Sequence, residues 1–338
     1  MCEIKNLNSK PNSSLDIKEP KSKVDYSECS FLPIKKSNLI DFYYQQRDLI
    51  WFVQEFTIKD DRRDWDRLDD NTKRYIKFLL CFFSQFDGLI NENIIDNFKR
   101  ETSNYKEAKY FYSVQEFIEN IHNEAYSLLI DVFIRDEHEK AKALNAIHYY
   151  KPIQELSEWL VYWMNDSIPL MERIIAFACV EGIFFSSAFA GIYWIKRKNI
   201  LKGLCKANEF IARDEGIHTE FAIELYKTYI ADGLHSPVNS QRVKEIISSA
   251  VDAVSRFTEE ALNVDLVGLD SKDMVKYIKC TSDYISDKFC GEKIYNVQNP
   301  FDWMAVLGLD NKTNYFESEV SEYAQCDISG KLERIDDF

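Results

Sequence analysis

The chain of 338 residues has five histidines, and two of them complete the same short pattern, Glu119-Asn-Ile-His122 and Glu215-Gly-Ile-His218. At about 100° per residue, a Glu and a His three positions apart share one helix face. Each pattern therefore presents a carboxylate beside an imidazole. Tyr126, one turn beyond His122, falls on that side too, and Gln115 joins it one turn before Glu119. Alone, either pattern reads as a solvated ion pair. Together they match the ligand set of a dinuclear carboxylate site, in which two Glu-x-x-His helices are completed by single carboxylates from two more helices of a four-helix bundle.

A third carboxylate is Glu181, the only charge between Ile174 and Ile195. A bare acid in such apolar surroundings is costly to bury without a neutralising partner, and no Lys or Arg shares these faces. A divalent metal supplies the charge. Carboxylate oxygen with imidazole nitrogen, and no thiolate at matching spacing, favours iron or manganese over structural zinc. A tyrosine on a helix face is ordinarily core packing, but beside such a site Tyr126 becomes a candidate one-electron donor.

The elements that must carry these residues are long helices. Apolar residues recur at helical spacing from Asn38 to Phe56, followed by a charged turn at Asp60–Asp66. A longer helix starts near Asp69 or Asp70 and runs through Ile76, Leu79, Leu80, Phe83, Phe86 and Ile90. The Glu119 helix spans roughly 104–130, two shorter helices interrupted by Pro152 fill 136–163, and Glu215 and His218 lie on a helix from about Leu204 to Ile230. Further helices occupy 239–263 and 270–288. The stretch Ile174–Ile195, followed by Lys196-Arg197-Lys198, is long and apolar enough to span a membrane. Its central Glu181 would cost about 2.5–3.5 kcal/mol there, so it reads instead as a helix buried on all sides, with Glu181 aimed into the bundle.

Composition agrees with one large helical domain. Gly and Pro are scarce at 10 and 7, while Phe and Tyr number 23 and 19. Residues 1–30 are too poor in large apolar groups to offset the entropy of ordering and read as a flexible arm; residues 31–320 form the domain, and 321–338 an acidic tail. The formal charge of −14 argues against nucleic acid. Eight cysteines without Cys-x-x-Cys pairing, and no signal-peptide pattern, suit free thiols in a reducing cytoplasm.

From Phe31 to Phe338 the chain resembles the small, radical-generating subunit of class I ribonucleotide reductase. The resemblance is carried by Asp87-Gly88 with Asn91-Glu92-Asn93, by Glu119-Asn-Ile-His122 with Tyr126, and by Val180-Glu181-Gly-Ile-Phe-Phe185. It continues through Arg213-Asp214-Glu215-Gly-Ile-His218, Asn299-Pro300-Phe301-Asp302 and Lys312-Thr313-Asn314-Tyr315-Phe316-Glu317. It implies an all-α, ferritin-like bundle with additional helices, dimeric with itself or with another small subunit, in which a diiron centre and oxygen generate a tyrosyl radical. That radical passes to a separate large subunit that reduces ribonucleotides to deoxyribonucleotides. By position, Glu119, His122, Glu181, Glu215 and His218 match five of six metal ligands and Tyr126 the radical tyrosine. Phe185, Phe189 and Ile211 match the apolar pocket around the radical, Asp214 the acid that orients His218, and Tyr323 the tail relay. The tail to Phe338 matches the peptide that docks on the large subunit.

Two departures are expected from the same register. The sixth ligand, an aspartate, falls on Thr57, with Asp60 or Asp61 as substitutes only through a shifted turn, and the tryptophan linking the site to the surface falls on Ile40. These losses predict an auxiliary copy with one weakened metal position. The alternative is a competent subunit that forms the Tyr126 radical; a more distant one is another ferritin-like oxygenase or ferroxidase.

Overall fold

The computed structural model describes residues 30–264 and 266–304. The arm at 1–30 and the tail at 321–338, with Tyr323, fall all but wholly outside the described residues, as does the 312–317 motif. Residues up to Ile34 belong to a separate N-terminal unit, and the body starts at Lys35.

Among the described residues the architecture is helical, without a strand. Helix α1 covers Ser37–Asp48, α2 Asp61–Arg67, α3 Asp70–Asn93, α4 Lys99–Glu101, α5 Lys106–Phe133, α6 Glu137–Ala143 and α7 Lys151–Trp163. Then come α8 at Leu170–Cys179, α9 at Ser186–Lys196, α10 at Lys202–Ala231, α11 at Ser240–Ala261 and α12 at Ser271–Cys290. Helix α3 lies along α5, α8 and α9 lie along α10, α10 also touches α5, and α1 covers both α5 and α10. This is a four-element bundle of α3, α5, α8–α9 and α10, with α11 and α12 packed outside it.

The boundaries follow local chemistry. Asp69 caps α3 by accepting from Thr72 N at 2.9 Å, satisfying a backbone donor that the first turn leaves unpaired. The same device starts α6 at Asp136 and α12 at Asp270, and α12 stops at Gly291, whose φ of 72° suits glycine. Pro152 sits in the first turn of α7, where its missing N–H is harmless, so it starts a helix rather than interrupting one. The apolar stripe of α3, Ile76, Leu79, Leu80, Phe83, Phe86 and Ile90, is fully buried. Each such side chain contributes about 1.5–3 kcal/mol relative to exposure.

Three elements differ from the sequence reading. The expected helix over 38–56 ends at Asp48, and the chain continues through short 3-10 turns at Val53–Glu55 and Ile58–Asp60. The expected charged turn is helical: α2 sends Asp61 against α10, where its carboxylate accepts from Gly203 N at 2.9 Å and Leu204 N at 2.6 Å. The apolar run lies in the core, with every residue from Arg173 to Ile192 buried, but its helix is broken by a π turn at Val180–Phe184. Gly182 lies within that turn where a Cβ would stand 2.6 Å from Ile285 Cδ1 and 3.0 Å from Thr219 Cγ2. A side chain there would have to push Ile285 and Thr219 aside, so glycine eases the approach of α10 and α12 to the segment that carries Glu181.

Candidate metal centre

All four walls of the bundle send an acid inward. Glu119 and His122 come from α5, Glu181 from the π turn, Glu215 and His218 from α10, and Asp87 from α3; each is at most 2% exposed. Ligand atoms of Glu119, Glu181, Glu215 and His218 lie within 4.8 Å of one another, and so do those of Asp87, Glu119 and His122. Glu119 belongs to both groups and is placed to bridge them.

The acid that completes the set is therefore Asp87, not residue 57. Thr57 is exposed, on the turn before α2, and its carbonyl faces the start of α10, 2.9 Å from where a Cβ on Gly203 would stand. Asp60 is exposed and Asp61 is committed to the α10 cap, so neither acts as a substitute ligand. Asp87 was open to detection in the sequence. It follows Phe83 by one turn on the apolar stripe of α3, and a lone acid on such a stripe carries the same burial argument as Glu181.

The tryptophan assignment also changes. Ile40 is a core residue, 3% exposed. An indole reaches the centre from Trp51 instead, in the segment after α1. Its Nε1 donates to Asp214 Oδ2 at 2.7 Å, and its ring stacks on His122 with centroids 6.0 Å apart. The same Asp214 oxygen lies 3.2 Å from His122 Nε2, so Asp214 orients His122 and not His218. Gln46 donates to Asp214 Oδ1 at 3.1 Å, and Arg213 does so while also holding Leu49 O. Helical periodicity could not place Trp51, because it lies outside any helix.

These bonds set the imidazole roles. With Nε2–H donated to Asp214, His122 turns Nδ1 inward, 3.3 Å from Glu119 and 3.1 Å from Glu215. His218 likewise turns Nδ1 inward, 3.1 Å from Glu119 and 3.2 Å from Glu215. Gln115 donates to Glu181 Oε1 at 2.9 Å.

The electrostatics are those of a site waiting for positive charge. Burial, with the neighbouring acids, pushes the carboxyl groups of Asp87 and Glu181 well above the usual range. For both histidines burial opposes the charged ring but is outweighed: hydrogen bonds to Asp214, Glu119 and Glu215 raise His122, while the Glu215 charge and bonds to Glu119 and Glu215 raise His218 to about 9. Burial also works against ionised Glu215, yet the two imidazoles hold it below its usual value. Several inward atoms, including both Asp87 oxygens and Glu181 Oε2, have no hydrogen-bond partner among the described residues. Four carboxylates and two imidazole nitrogens around such orphaned oxygens fit two divalent ions, whose four positive charges equal the four negative ones.

Tyr126 is 1% exposed, and its hydroxyl has no hydrogen-bond partner among the described residues. Burial, then the charges of Asp87, Glu215 and Glu119, hold the phenol well above its ordinary pKa. Phe83 stacks flat on its ring, centroids 4.4 Å apart and planes within 2°. Phe189 and Phe185 pack on Phe83 at 5.3 and 5.9 Å, and Ile211 is buried. Phe83 is the ring in direct contact with Tyr126.

A helical bundle with a buried carboxylate–histidine cluster on facing elements defines the class of dinuclear carboxylate proteins. The family described as "Ribonucleotide reductase, small chain" matches residues 28–300, and the chain belongs to it. It is 38% identical to the ribonucleoside-diphosphate reductase small subunit of Dictyostelium discoideum over 92% of this chain and 90% of the relative. The small chain of vaccinia virus (strain Ankara) is 40% identical over 88% of this chain and 91% of that one. Among solved structures, the ribonucleotide reductase Rnr4 homodimer of Saccharomyces cerevisiae superposes with a TM-score of 0.74 at 30% identity, covering 87% of this chain and 89% of that one.

Proposed function

We propose that this chain is a metal-holding, radical-forming small subunit of ribonucleotide reductase, and not an auxiliary copy. The observation that carries the proposal is the convergence of Asp87, Glu119, Glu181 and Glu215 with His122 and His218 around one buried point beside Tyr126. In this reading Asp87, Glu119 and His122 would hold one ion, and Glu119, Glu181, Glu215 and His218 would hold the other. Iron or manganese suits these donors. The chemistry such a pair supplies when bound is one-electron oxidation, with dioxygen as terminal oxidant.

The chain's own residues do the rest. Tyr126 would give up one electron to that oxidant together with its hydroxyl proton; the hydroxyl is buried, without a hydrogen-bond partner among the described residues, and near enough to Asp87, Glu215 and Glu119 to feel their charges. Phe83, Phe185 and Phe189 exclude water and reductants from the resulting radical. Asp214 fixes the tautomer and direction of His122, and Trp51 extends that hydrogen-bonded line away from the centre. To this reading we add pairing with a large catalytic subunit through the tail, with Tyr323 as relay and Phe338 at its end, and assembly into a dimer with itself or another small subunit; membership of the family supports both. The compartment we assign is the cytoplasm.

The test is electron paramagnetic resonance after anaerobic ferrous loading and exposure to oxygen. A tyrosyl signal from this chain alone, lost in Tyr126→Phe with metal content unchanged, is the expected result. Silence from the fully loaded chain would return the auxiliary reading.

A further inference from the structure

Among the described residues nothing polar holds the ring of Tyr126: the residue is buried and its hydroxyl has no hydrogen-bond partner. The bond about which a phenol ring turns has a broad, two-fold torsional well, so the backbone leaves the plane of the ring loosely set. What lies against it is Phe83, parallel within 2° at a centroid separation of 4.4 Å. Phe83 and Asp87 stand one turn apart on the buried face of α3, so the helix that sends an acid to the centre also sends this ring to the tyrosine.

Phe83 is itself braced. It is fully buried, and Phe82, Phe185 and Phe189 pack against it with centroids 5.5, 5.9 and 5.3 Å away. Phe185 is held in turn by Phe82, Phe86 and Phe189. In an interior packed as densely as an organic crystal, a ring so enclosed turns only when its neighbours move aside. Of these phenylalanines only Phe83 is paired with Tyr126 among the described residues. The rigidity of the cluster therefore reaches the tyrosine through one flat contact.

We propose that Phe83 is the positioning residue of Tyr126: it fixes the plane of the phenol about the Cβ–Cγ bond, and with it the one orientation in which the radical is formed and kept. The second half of that statement rests on the reading of Tyr126 as the radical residue; the first half stands on the stack alone. The two halves have separate signatures. A ring held by a flat neighbour flips slowly in the resting protein. In a tyrosyl radical the unpaired electron on the ring carbon that bears Cβ couples to each Cβ hydrogen according to the angle between that C–H bond and the ring's π orbital. A fixed plane therefore gives one sharp splitting, and a free plane gives a spread of values.

Nuclear magnetic resonance of the metal-free protein, with its tyrosine rings isotopically labelled and the Tyr126 signals assigned by their loss in Tyr126→Phe, reads the flip rate directly. The parent is expected to flip slowly, and Phe83→Leu roughly tenfold faster, the scale of one lost aromatic stack. Phe83→Met, close in volume but without a flat face, is expected to match Phe83→Leu. Phe82→Leu, which removes the neighbouring buried ring of α3, is expected to flip at the parent rate. A parent ring that already flips fast, parent behaviour in Phe83→Met, or equal acceleration in Phe82→Leu would overturn the positioning role. After ferrous loading and exposure to oxygen, the paramagnetic signal of the parent is expected to show one sharp splitting from the Cβ hydrogens. In Phe83→Leu that splitting is expected to shift or spread at unchanged iron content; an identical splitting would overturn the proposal for the radical. Silence from the fully loaded parent would overturn the radical reading instead and leave the flip rates to decide the role of Phe83.

Discussion

Replacing Asp87 by Asn changes one charge at nearly constant volume, and its consequences differ with and without metal. In the metal-bound site, the loss leaves three carboxylates against four positive charges. A unit charge at about 4 Å, with an effective dielectric near 20, is worth about 4 kcal/mol, or roughly a thousandfold in affinity. Part of that is offset in the parent, because burial keeps Asp87 protonated until an ion displaces the proton. A loss of roughly a hundredfold or more therefore remains. The metal-free protein should scarcely notice, since a neutral amide replaces a neutral acid. Anaerobic ferrous titration with metal analysis should give two tightly held ions in the parent and one in Asp87→Asn, at similar melting temperatures. Thr57→Asp should leave occupancy unchanged, because residue 57 lies on an exposed turn. Two tight ions in Asp87→Asn, or a rise in occupancy in Thr57→Asp, would refute the placement of the sixth acid.

Metal uptake should depend on pH with a definite sign. Asp87, Glu181 and both imidazoles are raised in the metal-free protein, so the empty site favours their protonated forms and binding must expel protons. Loading should acidify weakly buffered solution and tighten as pH rises toward the His218 value of about 9; loading without proton release would contradict this. Trp51→Phe removes an indole bond to a buried carboxylate, a class worth about 1.5–3 kcal/mol. The denaturation midpoint should fall by the lower part of that range, because Gln46 and Arg213 still hold Asp214; an unchanged midpoint would show the bond to be of no account. Gly203→Ala should destabilise the fold by about 1–3 kcal/mol through overpacking, because its Cβ would meet Thr57 O and Ile58 Cα at 2.9 Å each, and calorimetry reads the shift in Tm.

The sequence displayed the parts of the centre that obey a period. The two Glu-x-x-His patterns and the isolated Glu181 are placed by helical geometry and by the cost of burying acids, and the structure brings those five residues together. Asp87 obeys no such period, since no spacing within one helix links it to Glu119; its signal is burial on an apolar stripe. Trp51 and Asp214 meet across 163 positions, and pairing at that range is set by how α1 lies on α10. The helix ends were mostly legible from capping acids and glycine, whereas the π turn was not. One surplus residue in an apolar run alters no composition and no cap.

That surplus residue reaches well beyond its own turn. Deleting one position from Val180–Phe184 would restore an unbroken helix, yet it would swing α8 by about 100° against α9. Glu181 precedes the irregularity's end and Phe185 follows it, so the acid and the aromatic shield would then aim at different neighbours. A defect in hydrogen bonding thus acts as the hinge pin of the whole interior: a smoother helix here would fold more regularly and leave the protein without its centre.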